Sequence, residues 1–181
     1  MDMSGEYLIA AQRPEVWQAL NDPEILKQCI PGCEEIQKIS PTEFTTQVQA
    51  RIGPVSARFS GKLRLLDLDP PNGYRISGEG SGGIAGFAKG GATVKLADAP
   101  GGTKLSYNVE VQVGGKLAQI GSRLIDGTAQ KYAKDFFSRF ASILEQGTAT
   151  MPRADRRLLP APWLAILAAL LVMAALYFFT R

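Results

Sequence analysis

The sequence predicts an α+β fold, a curved antiparallel sheet wrapped around one long helix, followed by a single transmembrane helix near the C-terminus. Three observations predict it. Apolar residues alternate with period two through most of Glu34–Val113, they recur at helical spacing over Lys116–Gln146, and Leu158–Thr180 carries no charge.

Gly5–Ala10 reads as a short strand. Arg13–Cys33 then reads as helical, because Pro14 suits a first helical position and Val16, Trp17 and Leu20 make an apolar stripe. Asn21-Asp22-Pro23 interrupts it and starts a second short helix carrying Ile25 and Leu26, which Ile30-Pro31-Gly32 ends. From Glu34 the period changes. Phe44, Thr46, Val48, Ala50 and Ile52 share one face of a strand. Past the Gly53-Pro54 turn, Val55, Ala57, Phe59, Gly61, Leu63 and Leu65 share one face of the next. Pro70-Pro71-Asn72-Gly73 turns the chain into a strand with Tyr74 and Ile76 on one side, and another strand runs through Ala92, Val94 and Leu96. After Ala99-Pro100-Gly101-Gly102, Leu105, Tyr107, Val109, Val111 and Val113 alternate with polar residues. Five or six such strands make an antiparallel meander with one buried face and one wet face. Lys116–Gln146 closes the domain as a helix of about 46 Å, long enough to cross a sheet, with Gly121 and Gly127 as its weak points. In this helix-grip arrangement an apolar space remains between sheet and helix.

Charge divides the chain further. The net charge is +3, but Met1–Gly147 holds 16 basic and 16 acidic residues, so the excess lies beyond it. A neutral body argues against nucleic acid as a partner. Histidine is absent, which removes the commonest general base and zinc ligand. The two cysteines, Cys29 and Cys33, are too few for a structural zinc site and lack the Cys-x-x-Cys spacing, so they read as ordinary thiols near a turn. Neither a catalytic residue nor a metal site is expected. No signal peptide is visible at the N-terminus.

The organisation expected is a domain over 1–147, a Pro- and Arg-containing linker over 148–162 and an anchor over 163–180. Trp163–Phe179 is continuously apolar, and its 17 residues span about 25 Å as a helix, short but adequate for a bilayer. Trp163 and Tyr177 suit the two interfaces, with Phe179 beside the second. Arg153, Arg156 and Arg157 precede the helix. They place that side in the cytoplasm by the positive-inside rule and suit contact with anionic lipid. The expected location is the cytoplasmic membrane, crossed once, with the N-terminal domain facing the cytoplasm.

Three runs, Pro14–Cys33, Gly78–Ala92 and Gly114–Phe137, closely resemble the carbon monoxide dehydrogenase CoxG family of the START-like (SRPBCC) ligand-binding superfamily. The resemblance covers nearly all of Met1–Gly147. It implies an accessory protein, not an enzyme, that recruits a molybdenum carbon monoxide dehydrogenase or related hydroxylase to the membrane. It further implies carriage of a lipid-like molecule, with a quinone (menaquinone or ubiquinone) as the natural candidate.

Cavity-wall candidates on this reading are Trp17, Phe59, Tyr74, Tyr107, Leu117, Ile120 and Leu124, with the alternative that such residues fill the core. Hydroxyls on Tyr107 or Thr128 would suit a quinone carbonyl. Gly78-x-Gly80-x-x-Gly83 matches a dinucleotide fingerprint as text but has strand-like sequence on both sides, where that fingerprint needs a following helix. It reads instead as a glycine-relaxed hairpin, in which Ile84 and Phe87 would form a lip at a cavity mouth. A recruitment scaffold with a filled core and no ligand is the competing reading.

Overall fold

In the computed structural model, which describes residues Met1–Thr150, seven strands form one antiparallel sheet. They are β1 (Asp2–Ile9), β2 (Cys33–Ser40), β3 (Glu43–Ile52), β4 (Val55–Asp69), β5 (Gly73–Ser81), β6 (Phe87–Ala99) and β7 (Gly102–Gly114). The spatial order is β1-β7-β6-β5-β4-β3-β2, so the meander runs from β2 to β7 and the first strand adds to its far edge. β4, β6 and β7 have 13 to 15 residues, lengths of about 45–50 Å, and strands so long must bend and twist around whatever they cover.

Between β1 and β2 lie α1 (Arg13–Leu20) and α2 (Pro23–Cys29). The break between them has the expected cause. Asp22 caps the second helix, its carboxylate accepting from the Glu24 amide at 2.9 Å, and Pro23 occupies the first turn, where no amide hydrogen is needed. β1 starts at Asp2, earlier than expected, because Asp2, Met3 and Ser4 continue the pairing opposite Glu110, Val109 and Asn108. The outward polar side chains of Asp2 and Ser4 disguised a strand whose backbone still needs a partner.

The closing helix is a further correction. Instead of one helix from Lys116 there are two, α3 (Lys116–Gln119) and α4 (Ser122–Thr150). Gly121 separates them at φ +89°, in the left-handed region that glycine enters without a Cβ clash. Of the linker expected over 148–162, the first three residues fall within α4. The remainder, with Arg153, Arg156, Arg157 and the anchor residues Trp163, Tyr177 and Phe179, lies outside the described residues. Among the described residues, no helix is long and apolar enough to cross a membrane.

The hydrophobic core occupies one end of the concave face. Val16 of α1, Ile9 of β1, Leu105 of β7 and Phe140 of α4 are each no more than 1% exposed, and Trp17 packs edge-on against Tyr74 at 5.3 Å. Cys29 is sealed in the same core, where burial pushes its thiol up to about 11 against the opposing pull of Arg139. A thiol so held is protonated at neutral pH and is a poor nucleophile. Thr103, fully buried, donates its hydroxyl to the Ala11 carbonyl at 2.8 Å and ties β7 to the segment before α1. Thr103→Val keeps the shape and removes that donor. We expect a loss of about 1–3 kcal/mol in urea unfolding with an unchanged denaturant slope.

Candidate functional site

At the other end of the concave face the side chains run out. The inward positions of three adjacent central strands are Gly61 on β4, Gly78 and Gly80 on β5, and Ala88 and Gly90 on β6. Register sets them side by side: Gly61 pairs with Gly80, which pairs with Ala88, and Gly78 pairs with Gly90. A sheet floored with glycine and alanine cannot reach up to the helix above it. The space left is a cavity of about 450 Å³, whose remaining walls are apolar residues such as Val48, Phe59, Leu63, Ile76 and Val109, with Leu117 of α3 and Tyr132 of α4. The walls other than Ala50 and Leu117 are at most partly buried, which fits a hollow that solvent can reach.

Tyr132 props the helix over this space. Its hydroxyl accepts from the Arg51 amide at 3.2 Å and donates to the Arg51 carbonyl at 3.5 Å, joining α4 to the far end of β3. A larger groove of about 670 Å³ lies along the outward face of β5–β7, among Arg75, Lys89, Thr93, Asn108 and Glu110. Its charged lining suits water, and the smaller, apolar hollow is the better site for an uncharged organic molecule.

The sequence candidates divide by position. Phe59 and Leu117 line the hollow. Trp17 and Tyr74 belong to the core at the closed end, where burial holds the Tyr74 phenol above its usual range. Tyr107 is also turned to other work. Its ring packs 5.4 Å from Phe137, which stacks on Tyr7 at 4.1 Å, and its phenol is raised by burial and by the neighbouring Tyr7 hydroxyl. Ile120 sits at the break between α3 and α4. Leu124 is half exposed, and its side chain lies 3.6 Å from where a Cβ on Gly53 would stand. The Thr128 hydroxyl donates within its own helix to the Leu124 carbonyl at 2.8 Å. Ile84, 87% exposed, rides on a short 3-10 turn, Gly83–Ala85, between β5 and β6. Phe87 is out of phase with the cavity-facing Ala88, and its ring lies against Gly114.

The sequence reading missed the glycine floor and Thr46, the one hydroxyl-bearing strand residue in the cavity wall. The signal was present. Gly61, Gly78, Gly80 and Gly90 all fall in the inward phase of their strands, where period two demands large apolar residues if the face is to be filled.

A seven-stranded antiparallel sheet gripping a long helix over an apolar hollow defines a START-like domain. Solved structures share this fold: a conserved protein from Geobacillus kaustophilus is 29% identical with a TM-score of 0.76, covering 81% of this chain and 96% of that one. A START superfamily protein from Mycobacterium smegmatis is 15% identical with a TM-score of 0.62, covering 80% and 97%. Residues 5–145 match the CoxG family, the G subunit of carbon monoxide dehydrogenase, and the chain belongs to that family. No curated protein matches the chain.

Proposed function

We propose that this protein is a membrane-anchored accessory factor that holds a quinone or similar lipid in the apolar hollow. In this reading it recruits a molybdenum carbon monoxide dehydrogenase, or a related hydroxylase, to the cytoplasmic membrane and links it to the respiratory chain. The observation that carries the ligand half is the glycine floor, which leaves a cavity of about 450 Å³ at the open end of the concave face. That size falls within the range of roughly 300–1,000 Å³ usual for small-molecule sites. It suits a ring and the first part of a prenyl tail, the rest of the tail remaining outside. Family membership supports the choice of enzyme partner. The uncharged run Leu158–Thr180, preceded by Arg153, Arg156 and Arg157, supports a single anchor with the domain on the cytoplasmic side.

Purifying the full chain from its native membrane in a mild detergent, then identifying bound small molecules and polypeptides by mass spectrometry, tests both halves. A quinone enriched over the bulk lipid extract and a copurifying molybdenum hydroxylase are the expected results. Protein free of any lipid would overturn the ligand half, and absence of the hydroxylase the recruitment half.

A further inference from the structure

The hollow contains very little hydrogen-bonding capacity, and where that capacity lies narrows what can bind. Four of its lining residues carry polar side chains: Thr46, Glu79, Lys89 and Tyr132. Glu79 and Lys89 pair across β5 and β6, out of phase with the glycine floor, and are exposed on the outer face of the sheet. The Tyr132 hydroxyl is committed to both backbone groups of Arg51. Thr46 is different. It stands in the inward phase of β3, between Phe44, which is buried, and Val48, and directly opposite Gly61. Its hydroxyl leans over that glycine, 2.6 Å from where a Cβ would be, at the edge of the floor formed by Gly61, Gly80 and Ala88.

A floor that carries only glycines and one alanine methyl across three strands lets the face of a planar ring lie close against the backbone. A hydroxyl at its edge then meets the ring edge. Thr46 is only partly buried, so water reaches its hydroxyl when no ligand is bound. A ring that displaces that water must replace the hydrogen bond or lose its worth. Resting on the reading that the hollow holds a ligand, we infer that Thr46 is the positioning residue that donates to a ring-edge acceptor of the bound molecule. The ligand class is thereby narrowed to planar compounds carrying a carbonyl or equivalent acceptor on the ring, as opposed to acyl chains or plain hydrocarbons.

The test uses the full chain in one detergent and two probes, menadione bearing a single prenyl group and the same prenylated hydrocarbon without its carbonyls. The quantity read is the ratio of variant to wild-type Kd for each probe, in which partitioning into micelles cancels. Thr46→Val keeps the side-chain shape and removes the hydroxyl. It should weaken the quinone about fivefold and leave the hydrocarbon unchanged, with Thr46→Ser restoring wild-type affinity. Equal quinone binding by Thr46→Val and wild type would overturn the inference while leaving the cavity reading intact, as would equal weakening of both probes. Wild-type protein that binds neither probe would sink the ligand reading and this inference together.

Discussion

Gly80→Leu should weaken ligand binding about 60-fold without harming the fold. Gly80 lies in the middle of the cavity floor, and a Cβ placed there meets nothing nearer than the Ser60 carbonyl oxygen at 3.8 Å. Its φ lies outside the left-handed region, so a side chain adds no backbone strain, and replacing glycine within a strand removes its entropic penalty of about 0.5–1 kcal/mol. A leucine would therefore project freely into the space of about 450 Å³. If it displaces a ring from about 100 Å² of apolar contact, the loss at roughly 25 cal/mol/Å² is about 2.5 kcal/mol, or about 60-fold in affinity. Thermal unfolding and quinone titration of the same preparation check the two halves of the expectation. The competing scaffold reading, a filled core, requires the opposite: a leucine with nowhere to go and a lowered melting temperature.

The choice of Gly80 depends on its neighbours. A Cβ on Gly90 would fall 2.0 Å from the Glu110 carbonyl oxygen and 2.8 Å from the Val111 Cα, a collision with the backbone of β7 that a strand cannot absorb. On Gly78 it would meet the Leu63 side chain, and on Gly61 the Thr46 hydroxyl, each at 2.6 Å. These glycines make the hollow, and among those in the inward phase Gly80 is the one with open space above it.

The fold class was legible because its evidence is periodic. The meander from β2 to β7 announced itself through alternation, and the break between α1 and α2 through Asn21-Asp22-Pro23. The split between α3 and α4 stayed hidden because Leu117, Ile120 and Leu124 continue a helical apolar spacing straight across it. Side-chain periodicity reports which face is apolar and is blind to a single residue with positive φ. The hollow was hidden for a related reason. Phase places Phe59, Tyr74 and Tyr107 on the same side of the sheet, but it does not say how far along each strand the helices pack. α1, α2 and the later turns of α4 cover the end that holds Tyr74, whereas Phe59 stands at the end they leave open. A glycine adds no apolar residue to a hydrophobic pattern, so the residues that create the cavity mark it only as gaps in the inward phase.

If the concave face is divided in this way, damage to its closed end should leave the open end working, and Phe140→Ala tests that. Phe140 has no exposed surface and its ring stacks on Phe136 at 5.8 Å, in the cluster that joins α4 to α1, α2 and the sheet. Truncating a buried phenylalanine costs about 3–5 kcal/mol through lost transfer energy and the void left behind. In a domain of this size that is a large share of the total stability and should lower the melting temperature by about 10 °C. Phe140 is not among the residues lining the hollow, which is held open instead by the glycine floor and by Tyr132 on the Arg51 backbone. Quinone affinity measured well below the melting transition should therefore stay within about twofold of wild type, since no contact with the ligand is removed. Taken with Gly80→Leu, which should spare stability and greatly weaken binding, the pair forms a double dissociation. Were Phe140→Ala to lose binding in proportion to its stability, core and cavity would be one cooperative unit. The glycine floor would then be insufficient to explain where the ligand sits.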